Sequence, residues 1–175
     1  MRIEHAMFGA GCFWGVEEAF RQVDGVIDVE VGYSGGTVPN PTYRMVCTDR
    51  TGHAEVVHVQ YDADRISYDD LLEVFWGIHD PTTMNRQGPD IGTQYRSVIF
   101  YYDEKQRAAA EGSKRRLEES GRFRRPIVTQ ISKVGEFYRA EEYHQRYLEK
   151  AGLSHGCGIN GCGGAAGVGG ATRRR

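Results

Sequence analysis

Six short runs between Ile3 and Tyr102 constrain the fold more than any other feature of the chain. Residues 3–8 read as a strand. Residues 13–23 carry Phe13, Val16, Phe20 and Val23 at helical spacing. Residues 26–33 and 53–61 alternate apolar and polar side chains as strands do. Residues 67–78 form a helix pattern, with Ser67 as its N-cap and Leu71, Leu72, Phe75 and Trp76 as its apolar stripe. Residues 95–102 form a further strand. The order is strand–helix–strand, strand–helix–strand, which is that of the split βαβ unit. It predicts an α+β fold: a two-layer sandwich with a ferredoxin-like core and helices on one face of a mixed sheet.

Two long loops, 37–52 and 79–94, interrupt this order, and loops of that length in a compact domain usually serve function. A short turn at Thr42–Val46 is expected within the first. After the core come a polar surface helix at 103–119, a short strand at 127–131 and a helix at 140–150. The composition then changes: nine of the nineteen residues from Gly152 to Gly170 are glycine. Such a segment buries too little apolar surface to offset its ordering entropy. The expected organisation is therefore a catalytic domain at 1–151 and a flexible, Gly-rich tail at 152–175.

A net charge of −2 gives no basic footprint for nucleic acid. No run approaches the roughly 18–20 apolar residues that span a bilayer, and no signal peptide is expected. The cysteines at 12, 47, 157 and 162 are unevenly spaced in a chain long enough to build a core without disulfide staples. A reducing, cytoplasmic setting is expected, where cysteines are more often catalytic or metal-binding.

Gly11-Cys12-Phe13-Trp14-Gly15 falls between a strand and a helix. A cysteine that opens a helix faces outward-pointing N–H groups and the positive end of the dipole, which favours the thiolate. The aromatic pair beside it suits a small apolar group next to the atom under attack. Glu55 shares a strand face with Val57, Val59 and Tyr61. That face should point inward, so its carboxyl is desolvated and its pKa raised. A carboxylic acid kept neutral near pH 7 can donate a proton. Tyr43 and Tyr95 lie in or beside the long loops, where a phenol can hydrogen-bond a substrate oxygen. Asp90 on its own reads as a turn residue, and Cys47 as packing.

Cys157 and Cys162 on a Gly-rich tail suit a thiol–disulfide relay. Two other classes compete with this reading. A cysteine hydrolase or acyltransferase would take His53, His79 or His144 as base, but gives the tail cysteines no task. A zinc module would use His155, Cys157 and Cys162, with Cys47, but lacks the usual second ligand pair; no metal and no cofactor are expected.

The motifs identify a resemblance. Gly32-Tyr33-Ser34-Gly35-Gly36, Asn40-Pro41-Thr42-Tyr43-Arg44, Gly52-His53-Ala54-Glu55-Val56, His79-Asp80-Pro81-Thr82-Thr83, Gly92-Thr93-Gln94-Tyr95-Arg96-Ser97 and Glu142-Tyr143-His144-Gln145 join the Cys12 run. Together they resemble peptide methionine sulfoxide reductase, type A, in order over residues 6–150. The resemblance implies that Cys12 attacks the sulfoxide sulfur of the S epimer, free or in proteins. Glu55 would protonate the oxygen, with Tyr43 and Tyr95 polarising it. Phe13 and Trp14 would clasp the S-methyl group, and Asp90 would help bind the substrate backbone. Methionine would leave, and the sulfenic acid on Cys12 would condense with a tail thiol. Thioredoxin would reduce the disulfide in a monomeric enzyme of protein repair. The C-terminus departs from the family pattern: Gly156 precedes Cys157 where a tyrosine is common, and the cysteine pair is closer. Cys157 is taken as the resolving thiol and Cys162 as the onward carrier.

Overall fold

The computed structural model describes residues 1–153. β1 (Ile3–Ala10), α1 (Phe13–Arg21) and β2 (Val26–Ser34) open the chain, followed by a one-turn α2 (Tyr43–Val46), β3 (Ala54–Asp62) and α3 (Tyr68–Gly77). A small hairpin of β4 (Arg86–Gln87) and β5 (Asp90–Ile91) precedes a 3-10 turn at Thr93–Tyr95, then β6 (Ser97–Tyr101) and α4 (Glu104–Glu119). β7 (Gln130–Lys133), β8 (Phe137–Arg139), a 3-10 turn at Glu142–His144 and α5 (Tyr147–Lys150) complete the described chain.

The main sheet has the order β7-β6-β1-β3-β2-β8. Among its central strands β6, β1, β3 and β2, each neighbouring pair is antiparallel. β1 and β2 flank β3, which is the split βαβ arrangement expected from the element order. β7 runs parallel to β6, which makes the sheet mixed. Phe13, Val16 and Phe20 of α1 and Leu71, Leu72 and Phe75 of α3 pack with Phe8, Val57, Val59 and Tyr61 of the sheet. At the centre, Phe8 stacks on both Phe20 and Phe75 with ring centroids 5.2 Å apart. The Ser67 cap forms, with Asp70 returning a bond to the cap backbone.

The structure differs from the sequence reading in several places. Ala54 and Val56, on the β3 face opposite Glu55, Val57, Val59 and Tyr61, are also buried, with Met7, Val98 and Phe100 in a second, smaller cluster. Phe137 and Val134 pack over that cluster from the stretch around β8, an edge strand too short to show a pattern. The expected strand at 127–131 lies later, as β7. Its first residues instead tie down the second long loop, with Val128 N–H donating to Pro81 O.

The polar helix α4 buries Gln106, Ala110 and Ser113. There the Trp76 indole N–H of α3 donates to Ser113 Oγ at 2.8 Å. Ser113→Ala is expected to leave that N–H without a partner and to cost about 1–3 kcal/mol, measured by urea unfolding. The helix expected at 140–150 is broken. The Gln145 side-chain oxygen accepts the Val31 N–H, and its amide nitrogen donates to the carbonyls of Val31 and Ala140. Arg146 then takes φ 53°, in the left-handed region, which ends helical continuity.

Candidate active site

Cys12 stands at the hinge between β1 and α1. It is the N-cap of α1 and is half-buried, and its side chain makes no capping bond. Gly11 before it has φ 96°, and a Cβ there would lie 2.8 Å from the Gln87 side chain of β4. Glycine thus lets the hairpin close against the cysteine turn.

Glu55, near the start of β3, is paired with Tyr33 of β2 and is 2% exposed. Its Oε1 accepts the N–H of Phe13, the first helical residue after Cys12, at 3.3 Å. Oε2 is buried with no hydrogen-bond partner among the described residues. Desolvation raises the carboxyl pKa to about 8; the Phe13 N–H opposes the rise and the Asp90 charge adds to it. Glu55 is therefore a neutral acid at pH 7, as its strand face suggested.

Tyr43, the first residue of α2, and Tyr95, at the end of the 3-10 turn, are half-buried and close enough to be affected by Glu55. Burial raises both phenols well above their ordinary range. They stay protonated, so each hydroxyl is able to donate a hydrogen bond. Asp90 sits on β5, where its charge reaches both Glu55 and Tyr95. The structure thus brings the Cys12 turn, Glu55, Tyr43, Tyr95 and Asp90 to one place, from five separate stretches of chain.

Phe13 is buried, its ring 5.7 Å from Tyr33 and 5.2 Å from His144. Trp14 reaches the surface beside it. The indole N–H donates to His144 Nδ1 at 2.9 Å, and its face stacks on Tyr147 at 3.7 Å. Accepting that bond requires an unprotonated Nδ1. Burial lowers the His144 pKa, which keeps the ring neutral, so its 3.9 Å approach to Glu141 is not an ion pair.

Sequence reasoning placed no role on Glu141. Burial works against its ionisation, but hydrogen bonds outweigh it and hold its pKa below the usual value. Glu141 accepts from Tyr33 Oη at 3.1 Å, from Tyr143 Oη at 3.0 Å and from the Tyr43 N–H at 3.2 Å. It therefore anchors the start of α2, which carries Tyr43. The one hint in the sequence is that it immediately precedes the Glu142-Tyr143-His144-Gln145 motif.

The remaining candidates fall elsewhere. Cys47 is exposed, not packed; it caps the end of α2, with its thiol near the Tyr43 hydroxyl. The one-turn helix turns Val46 inward in its place. His53 accepts the Gly36 N–H at 3.0 Å and bonds Val38 O at 2.7 Å, which braces the first long loop. His79 bonds Phe75 O and Ser97 Oγ, each at 2.7 Å. These commitments leave His53 and His79 no part in a cysteine–histidine pair. His155, Cys157 and Cys162 lie outside the described residues. Among the described residues, no group of three His, Cys, Asp or Glu is placed to hold a metal, and no helix is long and apolar enough to cross a membrane.

A cysteine at a helix start, next to a buried neutral acid and two phenol donors, defines a thiol enzyme that can protonate an oxygen as its sulfur attacks the neighbouring atom. The family described as peptide methionine sulfoxide reductase matches residues 4–161. The chain belongs to that family, and its reaction is the reduction of methionine sulfoxide to methionine. It is 68% identical over 149 residues to peptide methionine sulfoxide reductase MsrA of Methanothermobacter thermautotrophicus, covering 85% of this chain and 88% of that one. Mxr1 from Saccharomyces cerevisiae in reduced form shares the fold with TM-score 0.82 and 36% identity, over 89% of this chain and 90% of that one. Mxr1 in complex with Trx2 matches with TM-score 0.60 and 27% identity, over 83% of this chain and 85% of that one.

Proposed function

We propose that this protein reduces the S epimer of methionine sulfoxide, free or within proteins, with Cys12 as nucleophile and Glu55 as general acid. The observation that carries the assignment is the buried, neutral Glu55, bonded to the residue after Cys12 and with its second oxygen unpartnered. The Cys12 thiolate attacks the sulfoxide sulfur. Glu55 transfers its proton to the sulfoxide oxygen, while the hydroxyls of Tyr43 and Tyr95 hydrogen-bond the same atom. Phe13 floors the site and Trp14 walls the S-methyl group; Asp90 holds the substrate backbone. The oxygen passes to Cys12 as a sulfenic acid, and methionine leaves with the two electrons the thiolate supplied.

The Cys157 thiol then attacks the sulfenic sulfur, water departs, and a disulfide forms between Cys12 and Cys157. Cys162 exchanges into this disulfide, and thioredoxin reduces the product. The relative solved with Trx2 supports thioredoxin as the reductant. The working organisation is a catalytic unit at 1–151 with a relay tail at 152–175, acting as a cytoplasmic monomer. The family match extends ten residues beyond 151, through Cys157 to 161.

The test is turnover of each sulfur epimer with dithiothreitol as reductant. Only the S epimer should be consumed; equal consumption of both would refute the assignment. For the tail, Cys157→Ser should keep one stoichiometric turnover and lose thioredoxin-linked recycling. Mass spectrometry of the oxidised protein should find Cys12–Cys157 or Cys157–Cys162, and a dominant Cys12–Cys47 bond would overturn the relay.

A further inference from the structure

One buried carboxyl takes no part in the chemistry above. Glu17 lies on α1, one turn beyond Phe13, and is 1% exposed. Its carboxyl faces the backbone N–H of Arg146, while its Oε2 is buried without a hydrogen-bond partner among the described residues. Desolvation raises its pKa to about 7, opposed by the Arg146 N–H and by the charges of Arg21 and Arg146, with Glu18 adding to the rise.

The place of Arg146 in the chain gives this approach its meaning. Arg146 adopts φ 53° and is the N-cap of α5, with no side-chain capping bond. A non-glycine residue holds that conformation only where its surroundings fix it. The next residue, Tyr147, lies on the Trp14 indole, with centroids 3.7 Å apart and planes at 9°. Two residues earlier, His144 grips the edge of the same indole at 2.9 Å. Between them, Gln145 is fastened to β2 through Val31. The segment from His144 to Tyr147 is thus pinned to the sheet by Gln145 and to α1 by Glu17, with Trp14 held between two aromatic rings. Without that grip, a partly exposed tryptophan at the start of a helix has other rotamers open to it.

We propose that Glu17 is a positioning residue for the substrate: by accepting the Arg146 N–H it sets the turn that lays Tyr147 on Trp14, and so fixes the wall that receives the S-methyl group. The proposal rests on the reading of Trp14 as that wall. Preorganised walls act on binding and selectivity more than on the chemical step, since the nucleophile and acid are untouched.

The experiment uses the full chain with dithiothreitol. It compares methionine-S-sulfoxide with its S-ethyl analogue, with folding checked by thermal unfolding. Glu17→Leu should raise KM for the methyl substrate about tenfold, the scale of one methylene-sized misfit in an apolar pocket. kcat should change less than about twofold, and the preference for methyl over ethyl should fall by a similar factor. Glu17→Gln should restore wild-type values, because the amide oxygen accepts the same N–H. Tyr147→Leu removes the face contact without disturbing a buried carboxyl and should reproduce Glu17→Leu. The double variant should be no worse than either single one, as expected for residues acting through one contact.

The proposal is overturned if Tyr147→Leu leaves KM and the methyl preference unchanged. It is also overturned if a folded Glu17→Leu does so, or if Glu17→Gln behaves like Glu17→Leu. Tyr147→Leu decides the matter where Glu17→Leu does not fold. Trp14→Ala separates this proposal from the reading beneath it. If Trp14→Ala alters neither KM nor selectivity, Trp14 is not the methyl wall. If it alters both while the Glu17 and Tyr147 variants alter neither, only the positioning role of Glu17 fails.

Discussion

Replacing Cys12 by serine is expected to abolish reduction of methionine sulfoxide with dithiothreitol and with thioredoxin alike. An alcohol with an ionisation like that of water is about 10⁷ less ionised at neutral pH than an ordinary thiol. Its oxygen also cannot take up the sulfoxide oxygen as a sulfenic acid does. Cys12 holds the N-cap of α1 without a side-chain capping bond, and serine is a favoured N-cap residue, so the helix start should form in the variant. Single-turnover methionine release should fall by at least about 10³, a conservative bound for loss of an activated nucleophile. Release within tenfold of wild type would remove Cys12 from the reaction.

Glu55→Gln carries the second-largest effect. The amide packs like the acid and can still accept the Phe13 N–H, but it has no proton to transfer. The rate should fall by the ~10²–10⁴ that general acid catalysis contributes. Glu55→Asp should fall less where the shorter chain still reaches the oxygen. The pH dependence follows from the raised pKa of about 8. The proton donor is fully present well below pH 8 and is lost as the pH rises through it. Wild type should therefore lose rate on the alkaline side, and Glu55→Gln should lack that limb.

The same shift makes a prediction for stability. The folded state prefers the protonated acid, so this group's contribution is fully present below its ordinary pKa of 4.5 and is lost as the pH rises towards about 8. Urea unfolding of wild type against Glu55→Gln across that window should show the difference grow with pH. A Glu55→Gln enzyme as fast as wild type from about pH 6 to 9, the range around the expected titration, would leave Glu55 only a positioning role.

Much of the fold is local in origin, and was legible for that reason. The stripes on α1 and α3, the alternation on β2 and β3 and the Ser67 cap are each set by residues within a few positions of one another. Their order leaves few topologies once connections are short and helices cover one face. What failed to show was decided at long range. β8 is three residues on a sheet edge, too short for a pattern. The helix expected at 140–150 breaks because Gln145 bonds a strand more than a hundred residues earlier. Cys47 reads as buried by its type, yet the one-turn α2 turns Val46 inward and leaves Cys47 exposed.

At the site, local sequence specifies the chemical groups: a cysteine at a strand-to-helix junction, an acid on an inward strand face, and phenols in long loops. These follow from local periodicity and from the intrinsic chemistry of each side chain. Their juxtaposition and their protonation come from the folded arrangement. The neutrality of Glu55 depends on desolvation by several elements at once and on its bond to Phe13, 42 residues away in the chain. Glu141, His144 and Glu17 gain their roles from partners 98, 130 and more than a hundred positions distant. Periodicity reports the face on which a side chain lies. It carries no record of the polar group that a distant segment places opposite, and in a desolvated site that group sets charge and orientation.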